Sequence, residues 1–156
     1  MIVIDINSLS SIFDPNNSDY EEFYYVLDWV LRQKNACFIY GGTKYKNELR
    51  KMINYLKIMS EFKKIGKCVE INSLLIDNDE LRLKNICSDT EFDDEHIVAI
   101  LNISGCKLVC THDKKAMPYI KRKDFYFDKK SRKIYSSSKN RNLLGNIHIS
   151  EIKNNI

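Results

Sequence analysis

Four acidic positions stand out because each flanks a short apolar run. Asp5 closes Ile2-Val3-Ile4 in the stretch VIDINS. Glu48 lies in NELRKM, about one turn into the helix after the run ACFIYGG. Asp93 and Asp94 open the helix of DDEHIVAIL, and Asp113 follows another run in LVCTHD. If the runs are neighbouring strands of one sheet, these acids converge on one edge. Two carboxylates about 4 Å apart repel by roughly 4 kcal/mol at an effective dielectric near 20. A divalent cation with oxygen ligands removes that penalty, and Mg²⁺ binds through few carboxylates while keeping waters and phosphate oxygens. Bound there, it can lower the pKa of a water and stabilise a leaving oxygen.

Each position also has a plainer reading. Thr90 and Asp93 form a T-x-x-D helix cap, and Asp94 can simply face the positive end of the helix dipole. Asp5 can be a strand-end turn residue. Glu48 can pair with Lys44 or Lys51, and Lys114 or Lys115 can neutralise Asp113. His96 reads as structural, and Tyr24 and Tyr25 as core and boundary. Cys106, Cys110 and His112 fit no zinc spacing. DINSLS lacks two serines of the D-x-S-x-S adhesion motif.

The elements that must position the acids follow from periodicity. Residues 2–4, 36–42 and 107–111 read as buried strands, with 68–71 as a short strand or link. Apolar residues at 20, 23, 24, 27, 30 and 31 mark one helix, with Ser18 or Asp19 as its cap after the DPNNSD turn. A second helix spans about 45–64 with apolar positions 49, 52, 53, 56, 59 and 62. A short helix covers 78–86, and a nearly all-apolar one covers 93–103. MPYIKRK suggests another short helix, and DFYFD and RKIYSS suggest late strands. Strands alternating with helices predict an α/β fold with a mainly parallel central sheet flanked by helices on both faces. In such sheets sites lie at the carboxyl ends of the strands.

At 156 residues the chain predicts a single domain spanning 1–156, with the segment from about 114 as part of it. It shows no apolar run long enough for a membrane span and no signal peptide. Its five cysteines include no C-x-x-C pair, so they read as reduced thiols of a cytoplasmic protein. Residues 1–113 carry 13 basic against 18 acidic side chains, a balance of −5. Residues 114–156 carry 12 against 3, a balance of +9. An acidic body with a basic final third suits a site that meets a polyanion.

In order and spacing these motifs resemble the PIN-domain ribonucleases. VIDINS matches the family's opening strand and D-x-N, with Asp5, Asn7 and Ser8. NELRKM matches its helix acid at Glu48, DDEHIVAIL the acid before a buried helix at Asp94, and LVCTHD the T-x-D of Thr111 and Asp113. The likeness runs from residue 1 to about 115. It implies a PIN-like domain with a Mg²⁺ or Mn²⁺ centre that cleaves phosphodiester bonds of single-stranded RNA. By it, Asp5, Asp94 and Asp113 hold the metal, Glu48 completes the catalytic set, and Asn7, Asp93 and Thr111 support it. Hydrolysis leaves a 5′-phosphate and a 3′-hydroxyl. The toxin of a toxin–antitoxin pair is one role the likeness admits, with an antitoxin or other protein as partner, and a homodimer is a further option. The alternative is a catalytically silent PIN-like module that binds RNA or protein. Because acids repel RNA, the basic segment is expected to supply affinity through Lys121, Arg122, Lys123, Lys129, Lys130, Arg132 and Lys133. Tyr126 and Tyr135 are expected to stack on unpaired bases.

Overall fold

The β-branched run Ile2–Ile4 forms β1, and all three side chains are buried. Two neighbours shield it: β2 (Phe38–Gly41) on one side and β4 (Leu108–Cys110) on the other. The outer strands are β3 (Cys68–Ile71) and β5 (Lys133–Tyr135). The order is β3-β2-β1-β4-β5, and every pairing is parallel. The computed structural model describes residues 1–89 and 91–145. The T-x-x-D cap at Thr90 therefore lies outside the described residues. Helices flank the sheet, as an all-parallel sheet requires. After β2 and β3 the chain crosses back over β1 to build β4. That reversal places the switch point of the sheet at the carboxyl ends of β1 and β4, where crevices form in such folds.

The helices depart from the expected pattern in several places. A 3₁₀ turn (Ile6–Ser8) and a short helix α1 (Leu9–Phe13) precede the DPNNSD turn and were not anticipated. Helix α2 (Tyr20–Arg32) buries Phe23, Val26, Trp29 and Val30, whereas Leu31 faces solvent. The buried stripe is thus rotated from the expected one, and Asp19 stands at the cap without a side-chain bond. The expected 45–64 helix is two helices, α3 (Thr43–Lys51) and α4 (Ile53–Lys64), because Met52 leaves helical geometry. Tyr45 and Leu49 are buried in α3. Met59 is buried in α4, with Tyr55 and Phe62 packed against the core. These two sets lie roughly a quarter turn apart on one continuous helix, and the break absorbs the difference.

Helix α5 (Ser73–Ile86) starts a turn earlier than expected, capped by Asn72, whose side chain accepts the Leu74 N–H at 2.9 Å. Helix α6 (Glu95–Ile103) is buried through nearly its whole length and packs on α5, β1 and β2. After β4, α7 (Ala116–Ile120) leads away from the sheet edge. DFYFD is not a strand. A 3₁₀ turn (Lys123–Phe125) is followed by a bend that buries Phe125 and Tyr126. Only the second late segment pairs, as β5, and a 3₁₀ stretch (Ser138–Leu144) follows it.

Candidate active site

Parallel pairing aligns Ile4 with Cys110, so the residues after them meet at the switch point. The Asp5 N–H donates to the Cys110 carbonyl at 2.9 Å. This holds Asp5 beside Thr111. The Thr111 hydroxyl donates to Asp5 Oδ2 at 2.7 Å, while Asp5 Oδ1 accepts the Asn7 N–H at 3.1 Å. The same hydroxyl oxygen accepts the Asp113 N–H at 3.0 Å. Asp113 Oδ1 accepts the backbone N–H of Lys115 at 2.7 Å. It is therefore the Lys115 backbone, not an ammonium group, that meets Asp113. Asp5 is 5% exposed. Burial pushes its carboxyl up and Asp113 adds to that, against the Thr111 and Asn7 bonds and His112, which pull it down.

Asp94 occupies the N-cap position of α6 but makes no side-chain cap bond. Its backbone φ of −99° and ψ of 26° lie outside the extended region a capping side chain requires. Only its carbonyl serves the helix, accepting from Ile97 and Val98 at 3.0 and 3.3 Å. The carboxyl is free to face the other acids. Burial, then Asp5, Asp93 and Asp113, raise its pKa to about 7, with Lys44 opposing. Asp5, Asp93, Asp94 and Asp113 form no salt bridge among the described residues. Lys44, which the sequence offers as a partner of Glu48, reaches Asp94 as well. Its ammonium donates to the Asp93 carbonyl and stands as counter-charge to Asp94 and Glu48.

Glu48 projects from α3, which Gly42 starts in a left-handed conformation (φ +80°). Burial raises its pKa, and Asp5 and Asp93 push the same way against Lys44 and Lys51. Its carboxylate lies 3.8 Å from His96 Nε2. Burial depresses His96 to about 3, so this contact joins an acid to a neutral imidazole. Tyr45, on the same helix, anchors it by donating its hydroxyl proton to the Ile4 carbonyl at 2.9 Å. His112 also borders the site, with Nδ1 3.3 Å from Ser8 Oγ and its ring edge-on to Phe23. Its position between Thr111 and Asp113 was the only sequence sign of this. The Cys106 thiol instead donates to the Leu108 carbonyl, and all five cysteines are free.

Among the described residues no group of three His, Cys, Asp or Glu side chains is placed to hold a metal ion. The site offers hard oxygen donors without a closed cage. That suits Mg²⁺, which keeps several waters and takes one or two carboxylates plus substrate oxygens.

The basic segment is not where the expectation puts it. Lys133 pairs with Leu108 and its N–H donates to the Lys107 carbonyl, at the amino end of β4. The acids lie at the carboxyl end. Lys129, Lys130 and Lys133 are exposed but enter β5 from the far side of the sheet, and Lys121 and Lys123 follow the far end of α7. Arg122 pairs with Asp124 and lies over Phe125. Arg132 is 3% exposed, binds Asp128 and stacks on Tyr126, so it is no surface phosphate contact. Tyr126 and Tyr135 are both 0% exposed and donate to the Ile120 and Glu22 carbonyls, which corrects their expected stacking on bases.

Among the described residues no helix is long and apolar enough to cross a membrane. No family model, curated protein or solved structure matches this chain.

Proposed function

We propose that this protein is a metal-dependent endoribonuclease of the PIN type, acting on single-stranded RNA. One arrangement carries the reading: Asp5, Asp94 and Asp113 gather at the switch point of a parallel sheet, where Asp113 raises the pKa of both others and Asp5 that of Asp94, with no salt bridge to any of them among the described residues. A cluster kept in that state is unfavourable unless a cation completes it. Mg²⁺ or Mn²⁺ would be held here by one or two of the carboxylates of Asp5, Asp94 and Asp113, with waters and substrate oxygens completing its shell. A bound ion supplies charge neutralisation at the phosphate and a water of lowered pKa.

The protein's own groups do the rest. Thr111 fixes the rotamer of Asp5 and the backbone of Asp113 through one hydroxyl. Glu48, with its raised pKa, takes the proton of the attacking water. The water oxygen bonds to phosphorus and the bond to the 3′ oxygen breaks. That oxygen takes a proton from solvent, which leaves a 5′-phosphate and a 3′-hydroxyl. Lys44 offsets negative charge beside Asp94 and Glu48. The test is cleavage of labelled single-stranded RNA with Mg²⁺, Mn²⁺ or chelator, beside Asp94→Asn. Metal-dependent cleavage lost in the variant supports the reading. Cleavage that is indifferent to chelator or to Asp94→Asn overturns it. RNA binding without cleavage would make the protein a silent binding module.

A further inference from the structure

A groove of about 530 Å³ runs between α3 and α5 and shares Glu48 with the acid cluster. Two other grooves among the described residues, one beside β3 and one beside Met52, include none of the clustered acids. The α3–α5 groove is lined by Lys44, Asn47, Lys51, Leu81 and Lys84 as well as Glu48. Its other two acids are engaged within the fold. Asp77 accepts the Thr43 N–H at 2.7 Å and the Thr43 hydroxyl at 2.6 Å. Glu80 is paired with Lys84 at 2.6 Å. Lys51 is exposed and forms no salt bridge among the described residues. Lys44 and Lys51 both act electrostatically on Glu48. Leu81, 60% exposed, adds an apolar surface.

We propose that this groove is the path by which a single-stranded polynucleotide reaches the carboxylates, its phosphates against Lys44 and Lys51 and a base resting on Leu81. The proposal rests on the nuclease reading for its substrate class. It replaces the C-terminal basic segment as the source of affinity. The warrant is position. Lys44 and Lys51 flank Glu48 on its own helix, whereas Lys129, Lys130 and Lys133 lie at the opposite edge of the sheet. A backbone bound along α3 needs no turn around the molecule to place a phosphodiester at the acids.

The experiment measures binding apart from chemistry. A fluorescein-labelled oligouridylate is titrated into the Asp94→Asn protein in chelator at several salt concentrations. Lys44→Gln/Lys51→Gln is expected to weaken binding by about tenfold at low salt and to flatten the log–log salt slope by about 1.4, at roughly 0.7 per phosphate contact on a single strand. Lys51→Gln alone, which leaves Lys44 on the Asp93 carbonyl, is expected to show about half that change in slope. Lys129→Gln/Lys130→Gln/Lys133→Gln is expected to match its parent. Parent-like affinity and slope in the α3 variants, or a loss confined to the C-terminal triple, overturns the proposal, as does failure of the oligouridylate to bind at low salt. Groove-dependent binding by a wild-type protein that never cleaves upholds the path while sinking the nuclease reading. Cleavage with α3 variants that bind normally does the reverse.

Discussion

The Thr111 hydroxyl donates to Asp5 Oδ2 at 2.7 Å across the β1–β4 boundary, from a side chain with no solvent exposure. Its oxygen also takes the Asp113 N–H. Replacing it removes both partners at once. Thr111→Val is expected to lower stability by about 1–3 kcal/mol, the cost of buried polar groups left unpaired. Thr111→Ser keeps the hydroxyl and is expected to recover most of the loss. Since the Thr111 bond lowers the Asp5 pKa, Val should move it further up. Urea melts and Asp5 carboxyl titration by NMR check both parts. Equal stability of Val and Ser would remove the bridging role.

Asp94 makes stability depend on pH. Its folded pKa of about 7 lies above its ordinary value of 3.8, so between those values the folded state binds more protons than the unfolded one. Stability therefore falls as pH rises through that window, and the penalty is complete above about pH 7. Asp94 is partly exposed, and solvent screening reduces the penalty to on the order of 1–2 kcal/mol. Asp94→Asn is expected to melt higher than the parent at pH 8 and to match it near pH 4. Millimolar Mg²⁺ at pH 8 is expected to raise the parent's Tm and to leave the variant's nearly unchanged. Calorimetry reads each effect, and a variant less stable than the parent at pH 8 would show a structural cap instead.

Arg132 tests whether the basic segment serves the fold or the proposed RNA binding. Its guanidinium lies 3.8 Å from the centre of the Tyr126 ring and 3.0 Å from Asp128. Arg132→Gln is expected to lose about 1–3 kcal/mol, chiefly through lost packing on Tyr126, because the exposed Asp128 keeps Lys107 as a partner. The salt slope of oligonucleotide binding should not change. A flatter slope at parental stability would return Arg132 to the RNA surface.

Asp79 is a buried acid with a structural role that the sequence reading passed over. Its carboxylate holds Arg82 at 2.6 Å and the Asn102 side chain at 2.9 Å. Asn102 in turn accepts the Phe127 N–H, and Arg82 donates to the Phe125 carbonyl. One carboxylate thus ties α5 to α6 and to the 125–127 bend. Asp79→Ala is expected to cost about 3 kcal/mol, or roughly 6–12 °C in Tm for a chain of this length. A shift under a degree would show that the bend holds without it.

Gly42 constrains the proposed nuclease site from outside the acids. At φ +80° an added Cβ would lie 2.7 Å from Ile76 Cγ2. Gly42→Ala is therefore strained in backbone and in space, at on the order of 1–3 kcal/mol. Relief requires α3 to shift against α5, which moves Glu48 and Lys44 together. Cleavage is expected to fall more than stability alone explains. Parental turnover in the folded variant would show that α3 tolerates the shift.

Local sequence determined the buried strands and the acids at their ends. Three or four consecutive apolar residues in β1, β2 and β4 can satisfy their backbone groups only inside a sheet covered on both faces. Asp5 and Asp113 stand just past those runs, so their place at the sheet edge was legible before any contact was known. The buried character of α6 was equally plain, since Ile97–Leu101 has no polar face. Three things needed the tertiary structure. The quarter-turn break at Met52 arises because Tyr45 and Leu49 must meet one surface and Met59 another. Asp94 resembles a cap in one dimension, and only its backbone angles show that its carboxyl is not used as one. The basic segment is expected beside the acids because residues 114–156 carry a balance of +9 against −5 for the rest of the chain. Yet β5 runs parallel to β4, so the chain must return to the opposite edge before it can pair, and it carries Lys129 to Lys133 with it. Periodicity reports how deeply a residue is buried. Which end of a sheet it reaches depends on strand direction and order, which are set by contacts between distant parts of the chain.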